Sequence, residues 1–339
     1  MGTRPEFVYA RAVAFWRRKR SAVAPQVGCF GKLPATGDFI RHNAGFDELG
    51  AWDRWLGSGI DLARRSLGSE FEPAYARSVG LFLFRPEPAK PDEEPTRALL
   101  GAWAASGDNA GRVYPMSVFA AYDYSVLAGL GGAAPVVLWQ LVTQLYELAT
   151  AGRSLSVDAF LERVNRIQAP TFDDPEAVLG SYREWLSAHR MHELWGTGFG
   201  TDESRFWVLQ NLFASVEPFR STEFPRTGLC VRLPLGAGDA FSLAVWLDAT
   251  LRLGRWQRTM VNALWVPQRT ALLHLGTPHA GSFRELIAPT GNAEHVADLC
   301  GPPGIDEATS RRRLGPALDS LVARTDLTIA QFLDGLGRA

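Results

Sequence analysis

The chain has 339 residues, 46% hydrophobic and 21% charged, enough for a large buried core and too apolar for a disordered protein. Its formal net charge of −1 supplies no global attraction to nucleic acid or an acidic membrane. Cys29, Cys230 and Cys300 are odd in number and far apart, which excludes a disulfide framework and fits a reducing compartment.

The first 20 residues carry six basic residues and one acidic residue. Their apolar part, Phe7 to Trp16, precedes the basic cluster Arg17-Arg18-Lys19-Arg20, the reverse of a secretory signal. Residues 1–26 therefore read as a basic extension. It is a frayed terminus, a stretch added by an upstream start, or a basic amphipathic helix for a partner or membrane surface.

Val27 to Phe30 reads as a short buried strand. Gly31 lets the backbone turn, Pro34 fixes φ, and Gly37-Asp38 is a turn signal before Phe39 and Ile40 return to apolar surroundings. This places Lys32 and Asp38 on one loop between two buried anchors, followed by Arg41. Only Lys19, Lys32 and Lys90 among the 35 basic residues are lysine. Lys32 is either a site that needs a compact ammonium or a charge on a solvated turn.

Phe46, Leu49, Trp52, Leu56, Ile60, Ala63 and Leu67 recur at helical spacing with Trp55 beside them, predicting an amphipathic helix whose aromatic stripe is core. Val79 to Phe84 reads as a strand buried on both faces, and Pro86 to Pro95 as a surface loop. Ala98 to Ala105 and Met116 to Tyr122 are two further strands. In the turn between them Asp108 and Arg112 flank a bend containing Gly111, and Tyr114-Pro115 locks its exit.

Pro135 to Ala149 is predicted as one apolar helix, Ser156 as the cap of the next, and Asp174-Pro175 as the start of a helix through Leu186. Thr201-Asp202-Glu203 opens another, through Phe213. Leu229, Val231 and Leu233 alternate as a strand, Ala240 to Leu253 is helical, and Ala263 to Val266 and Ala271 to Leu275 are the last strands. From Gly301 the chain is polar and then helical over Asp319 to Arg324 and Thr328 to Leu336. The reading divides it into the extension, an α/β domain over 27–300 and a docked helical tail over 301–339. The weakly polar run Tyr124 to Trp139 is too short and broken to span a membrane.

Motifs for catalysis and cofactors fail. Around Gly31-Lys32, Leu33 follows the lysine and Gln26 stands at the first glycine position of a phosphate loop. Gly196-Thr197-Gly198-Phe199-Gly200-Thr201 has dinucleotide flavour, but no strand-like segment precedes it. His189 and His192, three apart, are placed to share a helix face if helical, with Glu193 nearby, but neither a His-Glu-x-x-His nor a Cys/His cluster is present, and His274 and His279 flank a Pro turn. No Gly-x-Ser-x-Gly elbow occurs, and burial in apolar runs leaves Cys29 and Cys230 inert. The sequence calls for no cofactor and no metal. Gly31, Lys32, Pro34, Gly37, Asp38 and Arg41 on one loop, with Asp108, Gly111, Arg112 and Tyr114 on the other, form a patch with both charge signs. Its structural alternative is an internal Asp108–Arg112 pair that closes the bend. A patch without a clear base or nucleophile suits protein recognition. The rivals are an enzyme using the Lys32/Asp38 loop as a general base or phosphate site, and a purely structural subunit.

The run Phe30-Gly31-Lys32-Leu33-Pro34, then Gly37-Asp38-Phe39 and Arg41, followed by Trp52-Asp53-Arg54-Trp55-Leu56, resembles the opening of the TagF (ImpM) family of type VI secretion accessory proteins. Asp108-Asn109-Ala110-Gly111-Arg112-Val113-Tyr114-Pro115 is similar to a second stretch of that family, in the same order and spacing. The resemblance is good over about 27–125 and loose beyond. It implies a three-layer α/β/α sandwich around a mixed sheet and a non-enzymatic, cytoplasmic regulator that restrains the secretion apparatus after translation. In some systems it implies contact with a forkhead-associated scaffold protein, with links to a Ser/Thr kinase–phosphatase pathway. The basic extension and the long C-terminal half depart from the family pattern. No paired-Asp motif of a fused phosphatase is present.

Overall fold

The computed structural model of the chain describes residues 24–339 except 46, 88–95, 173, 200–203, 222–226, 237–238 and 292. Most of the basic extension, most of the Pro86–Pro95 loop and the helix start at Thr201-Asp202-Glu203 lie outside the described residues.

Among the described residues, nine strands form one mixed sheet: β1 (Gln26–Gly31), β2 (Ile40–His42), β3 (Val79–Phe84), β4 (Arg97–Ala104), β5 (Met116–Asp123), β6 (Cys230–Pro234), β7 (Asn262–Val266), β8 (Thr270–His274) and β9 (Val296–Asp298). Their order is β2-β1-β5-β4-β3-β7-β8-β6-β9. The pairings are antiparallel except β6 with β9. The class is α/β, as the alternation of elements suggests. The chain fills one half of the sheet with β1–β5 before building the other, and the halves join where β3 pairs β7, Phe82 opposite Leu264.

The central strands are apolar on both faces because both are covered. Along β3, Leu81 and Leu83 enter one core while Phe82 and Phe84 enter another; along β5, Val118 and Ala120 separate in the same way from Phe119 and Ala121. The core on the Phe82 side takes Leu49, Trp52, Trp55, Leu56, Ile60 and Ala63 from the helix Asp47–Leu67, and Phe283 and Leu286 from the helix Gly281–Ile287. The expected aromatic stripe is therefore core. The other side receives the helices Trp139–Ala151, Arg205–Val216 and Asp239–Gly254. It also receives the last forty residues: Leu314, Leu318, Val322, Phe332, Leu333 and Leu336 are buried there.

Four local readings change. The expected helix from Asp174-Pro175 through Leu186 divides at Leu179 into Pro175–Val178 and Gly180–Ala188. The expected helix over Pro135 to Ala149 breaks at Leu138 into Ala134–Val137 and Trp139–Ala151. The C-terminal helix begins well before Asp319, at Glu307, where the Asp306 carboxylate caps it by accepting from Thr309 N–H at 2.8 Å. Gly315, at φ 74°, then kinks that helix ahead of Pro316. The three-residue strands β2 and β9 carry too little pattern to be read at all.

Candidate functional site

Two turns meet at one end of the sheet. Residues 32–39 leave β1, and residues 105–115 link β4 to β5. Gly31 makes the approach possible. Its φ is 145°, and a Cβ there would lie 2.1 Å from the Pro115 carbonyl oxygen.

The Asp108 carboxylate is the hub. Its side chain is inaccessible to solvent, and Oδ2 accepts from Lys32 Nζ at 2.6 Å and from Arg112 Nε at 2.7 Å. Oδ1 accepts from the backbone N–H groups of Ala110 at 3.0 Å and Arg112 at 2.9 Å. Four donors saturate it, and the Lys32 ammonium foremost holds its pKa well below the carboxylate range, with the Arg112 contacts adding to that shift. The far end of Arg112 donates to the Gly37 carbonyl on the first loop, and Asn109 N–H donates to the Thr36 carbonyl at 3.3 Å. The two loops are clamped together although 76 positions separate Lys32 from Asp108. Gly111 supplies the bend at φ 80°.

Around the clamp is an aromatic group. Burial raises the pKa of Tyr114, and its hydroxyl adds to the shift by donating to Asp53 on the helix Asp47–Leu67. Phe30 meets Tyr114 edge-on and lies parallel to Phe39, with centroids 5.5 Å apart. Phe39 also meets Tyr114 edge-on at 5.0 Å, and Lys32 Nζ sits 4.3 Å from its ring centre. Arg41, opposite Phe30 in the β1–β2 register, places its guanidinium 5.4 Å from the Phe30 ring.

All ten residues of the expected patch fall in this region; one open alternative is closed and one expectation is corrected. Lys32 is not on a solvated turn: it is 3% exposed and bound to Asp108. Phe39 is not a buried anchor: it is 48% exposed, while Ile40 beside it is buried. The outer surface includes Pro34, Ala35, Asp38, Phe39, Arg41, Asn109, Ala110, Gly111 and Arg112, with Gly37 half-buried. Phe39 is absent from the residues nominated by sequence. The signal was the in–out alternation Phe39-Ile40-Arg41, which becomes legible only once β2 is known.

Other candidates are placed elsewhere. Two open surface grooves of about 430 and 890 Å³ are lined by residues outside both loops. Burial pushes the Cys29 thiol up to about 12. His189 stacks on Trp185. Among the described residues, no three His, Cys, Asp or Glu side chains are grouped to hold a metal ion, and no single helix is long and apolar enough to cross a membrane.

No curated protein matches the chain. Among solved structures, the crystal structure of PA0076 from Pseudomonas aeruginosa PAO1 aligns over 83% of this chain and 100% of that one, at 17% identity and a TM-score of 0.46. Residues 28–167, which contain both loops and β1 to β5, match the model of the TagF N-terminal domain, described as type VI secretion system-associated. Residues 28–167 therefore form a TagF N-terminal domain, associated with type VI secretion.

Proposed function

We propose that this chain is a non-enzymatic accessory or regulatory protein of the type VI secretion system, acting in the cytoplasm by protein–protein contact through the two clamped loops. The observation that carries the reading is the clamp itself. Lys32, Asp108 and Arg112 are consumed in fixing the backbone, so the surface above them is presented in one shape and loses little freedom on binding. A general base needs a free lone pair in reach of substrate. Lys32 instead spends its ammonium on Asp108. The expected activity is post-translational restraint of the apparatus, and the partner the family resemblance nominates is a forkhead-associated scaffold protein.

The test is affinity purification of the tagged chain from cells carrying the secretion genes, alongside a secretion assay. The reading expects a type VI component to co-purify in fixed proportion, and secretion to rise when the chain is removed. Absence of any secretion component from the purified material would refute it.

A further inference from the structure

We infer that Phe39 is the anchor of the contact surface, and that it fits an apolar pocket rimmed by carboxylates on the partner protein. The inference rests on the contact reading above and names the residue and the partner chemistry within it.

Three observations converge. Phe39 and Trp139 are the large hydrophobic side chains left exposed among the described residues, and only Phe39 lies on the two loops. Its ring is already held by Phe30 in parallel, by Tyr114 edge-on and by the Lys32 ammonium, so its rotamer is fixed before any partner arrives. A pre-set aromatic that is still 48% exposed is the type of residue that carries a large share of binding energy. The third observation is charge. Lys32 and Asp108 cancel each other out of solvent, which leaves, on the two loops and β2, the exposed guanidinium groups of Arg41 and Arg112 against the exposed carboxylate of Asp38. Arg112 is 63% exposed even while it holds Asp108. The rim is therefore net positive, and its complement is acidic.

The experiment measures binding of the purified chain to the purified forkhead-associated scaffold protein of the same secretion system, by calorimetry at two salt concentrations. It uses wild type, Phe39→Ala, Phe39→Leu, Arg41→Glu and, as a control on another face, Trp139→Ala, each with a melting curve. Phe39→Ala is expected to weaken binding by at least about tenfold without lowering the melting temperature, with partial recovery in Phe39→Leu. Arg41→Glu is expected to weaken binding at low salt and remove most of its salt dependence, and Trp139→Ala to bind normally. Wild-type binding that Phe39→Ala leaves unchanged overturns the anchor while the contact reading stands. No binding by wild type to the scaffold, or to any component recovered with the chain, overturns both. A second arm uses vesicles of anionic phospholipid: binding lost in Phe39→Ala would show that the aromatic serves a lipid surface and would overturn the proposal.

Discussion

Removing the Lys32 side chain leaves the Asp108 carboxylate inaccessible to water and short of its nearest cation. Breaking a buried pair from one side costs roughly 3–5 kcal/mol. Lys32→Ala is therefore expected to lower unfolding free energy in urea by about 3 kcal/mol, and a variant as stable as wild type would show that Arg112 alone satisfies Asp108. Gly31→Ala meets the Pro115 carbonyl and a positive φ together, so it is expected to lose more than about 1 kcal/mol by the same measurement. The scarcity of lysine in the sequence does mark Lys32, but its burial is not legible there. The charge that makes burial tolerable stands 76 positions away. Phe39 is the converse. A phenylalanine after a turn signal reads as core, and only its place outside a three-residue strand shows otherwise.

The helix Asp47–Leu67 is legible because its stripe repeats over five turns and because Trp52 has no polar alternative. Trp52 lies 3.9 Å from the Phe82 ring centre, and its Nε1 donates to Ser117 Oγ at 3.1 Å. Trp52→Ala is expected to cost roughly 3–5 kcal/mol, where Phe39→Ala leaves the urea midpoint close to wild type. The caps are legible too: Ser156 accepts from Ala159 N–H as its position before an apolar run suggests. What sequence does not show is how elements press on each other. At the end of β8, His274 is fully buried, and neither ring nitrogen has a hydrogen-bond partner among the described residues. Burial, followed by the nearby His295 and His279, pushes its imidazole down to about 3. An unfolded chain takes up that proton near 6.5, so unfolding binds protons and stability falls as pH drops from about 6.5 towards 3. His295, also lowered, acts in the same direction. For His274 the slope approaches about 1.4 kcal/mol per pH unit between its unfolded and folded values. His274→Leu should flatten the profile of unfolding free energy between pH 6 and 4, and an unchanged slope would exonerate the residue.

At the scale of the whole molecule, the α/β class is legible in the alternation of strands and helices, and the edges of β3 are read correctly to the residue. The strand order is not, because it depends on partners far apart in sequence. The TagF match ends at 167, yet the sheet does not end with it. A fragment covering 24–167 would leave β3 as an outer strand, with Leu81, Phe82 and Leu83 lacking the partners Trp265, Leu264 and Ala263. Such a fragment is expected to elute as aggregates in size-exclusion chromatography, and a monomeric, cooperatively melting fragment would show that the first half is self-sufficient.

The junction of β3 with β7 also sets a clock during synthesis. Leu83 and Ala263 are 180 positions apart, so a nascent chain completes β3 long before its neighbour emerges from the ribosome. At elongation rates of about 5–20 residues per second that interval is about 10–40 s. Over that time an apolar strand rim stands open to other nascent chains, and yield of native protein should depend on holdase chaperones and growth temperature more than on the stability of the finished fold.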